Sequence, residues 1–207
     1  MPLQNRCDPF GALHAVAERG AMMGNRGGRI HDPATKRLAG RRWASKAWIC
    51  CVTSFRGRHH DVWGETYTAL FFMDEVTALA SGHRPCFECR NADAKRFAGL
   101  WAEALGRSER MRAAEMDEVL HRERVASGKQ PLPELSAEDL AALPDGSMVA
   151  LDGRPFAVRA GALLPWSFKG YGAAERLSGR QARLITPPPV IAILRQGYEP
   201  RWHRSAS

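Results

Sequence analysis

The stretch Gly82-His83-Arg84-Pro85-Cys86-Phe87-Glu88-Cys89-Arg90 stands between two regions of opposite character. Before it, residues 47–55 and 67–73 are short, aromatic and β-branched, and read as strands joined by a polar loop over 56–65. Asp74 then caps a short helix that runs to Ala80 and is ended by Gly82. After it, residues 91–105 place Phe97, Leu100 and Trp101 on one face and read as a helix. A Cys-x-x-Cys turn preceded by proline and followed by a helix has the shape of a zinc knuckle. Two thiolates at this spacing converge on one ion while backbone N–H groups turn towards sulfur. Strands and helices mixed in this order predict an α+β fold.

Zinc takes four ligands, and the upstream pair available is Cys50 and Cys51 at the end of the first apolar run. Neighbours on a strand point to opposite faces, so one of the two is expected to ligate directly unless the strand ends there. The fourth ligand is then the other cysteine, His59, His60, His83, His121 or Cys7. The competing reading of the same cysteines is a set of buried or redox thiols.

Working outward, the 207-residue chain carries 30 Lys+Arg against 22 Asp+Glu, a net charge of +8, and this charge is uneven. Residues 1–66 hold 11 basic and 5 acidic side chains and residues 145–207 hold 9 and 4, while the middle is mildly acidic. Arginine dominates: Arg26, Arg29, Arg41 and Arg42, then Arg56 and Arg58, with Trp43 and Trp48 interleaved. Its planar fork suits phosphate, so the pattern points to a nucleic-acid partner, DNA in the first instance, against the plainer reading of a solvated basic surface. No apolar run reaches the roughly 18 residues of a membrane helix. The N-terminal residues lack an apolar leader, which predicts the cytoplasm, where disulfides are rare.

The remaining elements expected are a short amphipathic helix over 9–23 broken by the glycines that follow, and a charged helix over 108–126. A linker over 128–135 then leads to a short helix started by Ser136. Met148-Val149-Ala150-Leu151, the Asp152-Gly153 turn and Phe156-Ala157-Val158 read as a hairpin, and further strands are expected at 163–168 and 182–185. A last helix follows the prolines at 187–189, and the chain ends in a basic tail. The division expected is 1–127, a zinc-containing α+β domain, and 136–207, a small β-rich region. Asp117 and His121 lie four residues apart, one face of a helix, and are either an acid/base pair or an ordinary surface pair. Trp166, Phe168, Lys169 and Tyr171 form an aromatic-basic cluster that suits either base stacking or a small core. No P-loop, nucleophile elbow or H-E-x-x-H motif occurs.

Residues 47–97, with Phe71-Phe72, thirteen residues, and then Cys86 inside the Gly82–Arg90 stretch quoted above, resemble the metal-binding domain of the Ada DNA-repair proteins. In that family four cysteines hold zinc on a small α/β module, and an upstream cysteine accepts a methyl group from a DNA methylphosphotriester. The resemblance implies Zn²⁺ on Cys86 and Cys89 with Cys50 and Cys51, and alkyl acceptance at Cys51 or Cys50. Family members space their upstream cysteines three apart, whereas here they are adjacent. Three functions are expected to compete: a DNA-associated zinc protein acting in damage recognition or repair, an enzyme on a nucleotide or nucleic-acid substrate with structural zinc and Asp117–His121 as acid/base, and a structural zinc module in a protein-interaction adaptor.

Overall fold

The computed structural model describes residues 1–57, 61–127, 130–176 and 181–207, and its architecture is α+β. The first sheet has the order β2-β1-β7-β3-β6-β8, built from β1 (Arg6–Cys7), β2 (Leu13–His14), β3 (Met22–Arg26), β6 (Trp48–Val52), β7 (Leu70–Phe72) and β8 (Arg84–Pro85). Between β3 and β6 the chain makes a ribbon, β4 (His31–Asp32) with β5 (Arg37–Leu38). Helix α1 (Glu75–Ala80) links β7 to β8, and Asp74 caps it by accepting from Thr77 N. Helices α2 (Asn91–Ala104) and α3 (Ala113–Ser127) follow.

The second sheet has the order β13-β12-β11-β10-β14-β9. Its strands are β9 (Glu134–Leu135), β10 (Met148–Leu151), β11 (Arg154–Arg159), β12 (Ala162–Ser167), β13 (Gly170–Tyr171) and β14 (Ala182–Leu184). The β10–β11 hairpin turns at Asp152 and Gly153, whose φ values of +51° and +75° are those of a primed turn. Ser136 caps α4 (Ala137–Ala141), α5 (Pro188–Arg195) follows the prolines, and a 3₁₀ turn (Arg204–Ala206) closes the chain.

The helix expected over 9–23 is replaced by extended chain. Asp8 takes Gly11 N on its carbonyl and Ala12 N on its carboxylate, which folds the chain back into the β1–β2 pair before a helical turn can close. Met22, Gly24 and Arg26 are then buried in alternation, a period of two that belongs to a strand. Gly24, expected to break structure, lies inside β3 because a Cβ there would fall 2.1 Å from the Ile49 carbonyl oxygen. Helix α3 starts later than expected, at Ala113, where Glu115 reaches back to Arg112 N.

The core runs across the expected linker. Leu79, Phe97, Trp101, Met116 and Leu120 share one apolar cluster with Val190, Ile193 and Tyr198, and Val76 and Ala80 share another with Met148, Ala157 and Tyr171. Residues 134–135 are themselves a strand paired with β14. The basic tail is also anchored, because Tyr198 stacks edge-on against Phe97 at 5.2 Å and His203 N donates to Asp74. No helix among the described residues is long and apolar enough to cross a membrane.

Candidate metal centre

Strands β6 and β8 run parallel, with Ile49 opposite Arg84 and Cys50 opposite Pro85, so the next residue on each side is a cysteine, Cys51 within β6 and Cys86 just past the end of β8. Cys86 N donates to the Cys50 carbonyl at 3.0 Å, which pins the start of the Cys-x-x-Cys turn against β6. Arg90 N then closes on the Cys86 carbonyl and α2 begins. The sulfurs of Cys51, Cys86 and Cys89 consequently lie within 4.8 Å of one another. A tetrahedral zinc with Zn–S bonds of about 2.3 Å sets its sulfurs about 3.8 Å apart, so small rotamer adjustments bring these three onto one ion.

The local electrostatics suit a cation. Cys51 hydrogen-bonds to Cys86 and draws the Cys86 thiol down to about 5, and backbone N–H groups of Cys89 and Glu88, the latter at 3.4 Å, add to the effect. The Cys51 thiol is pushed the other way, upward, by the same Cys86 hydrogen bond and by burial. Burial also raises Cys89, against a hydrogen bond from Val52 N. Three crowded sulfurs thus share their negative charge poorly in the absence of an ion, and a divalent cation removes that repulsion. Tyr67, which the sequence reading did not single out, lies close enough for Cys51 and Cys89 to join burial in raising its phenol.

Strand alternation sends Cys50 to the other face. It is fully buried with Cys7, Met22, Leu70 and Phe72, and its sulfur accepts from Arg90 Nη1 at 3.5 Å. Burial, followed by the charge of Glu75, pushes its thiol up. The other candidates for a fourth ligand are equally distant in their engagements: Cys7 accepts from Arg26 Nη2, His83 Nδ1 meets Ser81 Oγ at 3.0 Å, and His121 stands edge-on to Trp43 at 5.2 Å. His59 and His60, like Arg58, lie outside the described residues.

Asp117 and His121 do not meet as an acid/base pair. Both Asp117 oxygens are taken by Arg84, Nε at 2.8 Å and Nη2 at 2.7 Å, in a buried fork. Removing one side of such a pair leaves an uncompensated buried charge. Asp117→Ala is therefore expected to cost about 3–5 kcal/mol in a urea unfolding titration. His121→Ala, on a half-buried ring, is expected to cost about 1 kcal/mol or less by the same measurement.

The arginines are dispersed. Arg26 is interior, 2% exposed, and its guanidinium lies 4.1 Å above the Trp48 ring. Arg29 pairs with Glu65 at 2.7 Å, Arg41 donates to the Arg29 carbonyl, and Arg56 lies 4.9 Å from the Phe55 ring centre. Arg42 is exposed. In the aromatic-basic cluster, the buried Tyr171 donates to Asp74, and the half-buried Trp166 packs against the same core and donates to Thr77 Oγ1. Missing from the sequence reading was a buried network beside the metal centre. Glu75 accepts from Arg90 at 2.6 Å, Tyr198 at 2.7 Å and Arg201 N at 3.0 Å, and Arg90 also reaches Asp93. Arg90 adjoins the Cys-x-x-Cys turn, but nothing in the local sequence marks its partner fifteen residues upstream.

No family model matches this chain, and neither a curated protein nor a solved structure shows significant similarity to it.

Proposed function

We propose that this chain is a zinc-binding protein that associates with DNA, with Cys51, Cys86 and Cys89 as protein ligands. The convergence of these three sulfurs within 4.8 Å, around a turn whose N–H groups face sulfur, carries the reading. The net charge of +8 and the exposed Arg37, Arg41, Arg42 and Arg56 support the DNA partner. If those four arginines each neutralise one phosphate, log affinity falls against log salt with a slope of about −3.6. Fluorescence anisotropy with a labelled duplex between low and physiological salt is the check, and absence of binding at low salt removes DNA from the account.

The resemblance to the Ada metal-binding domain supports a specific chemistry. Backbone N–H groups blunt the Cys86 and Cys89 sulfurs, which leaves Cys51 as the more nucleophilic zinc thiolate. Its attack on the methyl carbon of a methylphosphotriester forms an S–C bond and breaks the C–O bond, and the electron pair departs on the phosphate oxygen as a diester anion. Cys50, fully buried against Arg90, is not positioned for this role. Intact-mass measurement after incubation with methylated DNA is expected to show one methyl group per chain, lost in Cys51→Ser. The 7% exposure of Cys51 favours a second reading, in which zinc is structural only. Unmodified protein that still binds DNA selects it.

A further inference from the structure

Two cavities share Gly11 and Arg42 as lining residues, and Cys51, Cys86 and Cys89 line neither. The larger, about 340 Å³, is walled by Pro9, Phe10, Trp43 and Trp48, and its charged lining residues are Arg42, Arg124 and Glu123. The smaller, about 290 Å³, has three arginines, Arg26, Arg41 and Arg42, among its lining residues, and among the described residues no carboxylate lines it.

Arg26 is the unusual member. It is 98% enclosed, yet its partners are neutral: Nη2 donates to the Gly11 carbonyl at 2.7 Å and to the Cys7 sulfur at 3.3 Å. Its Nε has no partner among the described residues. Burial lowers its proton affinity, Cys7 opposes that, and the like charge of Arg42 adds to the lowering. Asp8 acts on it more weakly, its oxygens being held by Ala12 N at 2.9 Å and His14 at 2.7 Å. A buried cation without a counter-ion is costly, and a bound anion compensates it. On the other side of Arg42, Trp43 offers a partly exposed ring and Glu123 a carboxylate that suits an exocyclic amine.

We infer that the two adjacent cavities bind a nucleoside monophosphate unit, with the phosphate on Arg26, Arg41 and Arg42 and the base in the tryptophan-lined cavity. The inference deepens the nucleic-acid reading above and rests on it in part, since a free nucleotide and one residue of a single strand share this chemistry.

Tryptophan fluorescence of the metal-loaded 207-residue chain provides the test, with adenosine and cytidine 5′-monophosphates, inorganic phosphate, adenosine, a short single-stranded oligonucleotide and a duplex as probes. A monophosphate or the oligonucleotide is expected to quench saturably, with phosphate competing and adenosine binding at least about tenfold more weakly. Quenching by the free monophosphate identifies a free nucleotide as the source, and quenching by the oligonucleotide alone identifies a strand. Arg42→Ala, an exposed position, is expected to weaken binding about tenfold with an unchanged melting temperature. Absence of binding by monophosphate, phosphate and oligonucleotide, or binding that Arg42→Ala leaves unchanged, overturns the site. Duplex binding that persists in that case leaves the DNA reading standing, whereas nucleotide binding without duplex binding overturns the DNA reading alone.

Discussion

Cys86→Ser is expected to lose the metal and to destabilise the protein by about 5 kcal/mol, a fall in melting temperature of roughly 10–20 °C for a chain of this size. Cys86 sits where the sheet edge, the knuckle turn and α2 join, with its N–H on Cys50 and its carbonyl on Arg90. Losing the ion there releases the turn from β6, because metal-binding free energy in such a module is folding free energy. Cys50→Ser provides the contrast. It places a hydroxyl among Met22, Leu70 and Phe72 at a cost of about 1–3 kcal/mol, and the metal stays. Thermal melts of both variants, each with metal content measured before the melt, check the pair. Equal metal loss in the two contradicts the assignment of Cys51 over Cys50.

Glu75→Ala is the second large effect. Glu75 is wholly enclosed and its partner Arg90 is 1% exposed at the side chain, so the substitution leaves a buried guanidinium with Asp93 as its remaining carboxylate. Tyr198 and Arg201 N lose their acceptor in the same step, which loosens the C-terminal segment against α1 and leaves it the Glu75 N–Arg201 carbonyl and His203 N–Asp74 bonds. The expected cost is about 3–5 kcal/mol by urea unfolding. Because Arg90 precedes α2 and follows Cys89 directly, metal affinity is expected to fall as well, measured by competition with a chromophoric chelator. A loss below about 1 kcal/mol would mean that Asp93 alone suffices to hold Arg90.

The knuckle, the strands beside it, the α2 face and the β10–β11 hairpin were legible because each is encoded by neighbours: a Cys-x-x-Cys turn, the Phe97–Trp101 spacing, an Asp-Gly turn. Alternation along β6 also anticipated that only one of Cys50 and Cys51 faces the site. Over residues 9–23, Phe10, Leu13, Val16 and Ala17 mimic a helical stripe, while the Asp8 turn and the close approach of Gly24 to Ile49 act through hydrogen bonds and sterics that periodicity does not register. Asp117 looked like the partner of His121 because they are near in sequence. Its actual partner, Arg84, lies thirty-three residues away, and a buried charge takes the strongest counter-charge that the fold supplies. The interior place of Arg26 is hidden in a similar way: sequence shows its sign but not the β3 position that turns it inward.

Metal content of protein purified without added metal tests the central claim most directly. Elemental analysis is expected to return about one zinc per chain, retained in Cys50→Ser and lost in Cys51→Ser, Cys86→Ser and Cys89→Ser. A cooperatively folded wild-type protein that carries no metal and takes none up on titration with zinc would contradict it.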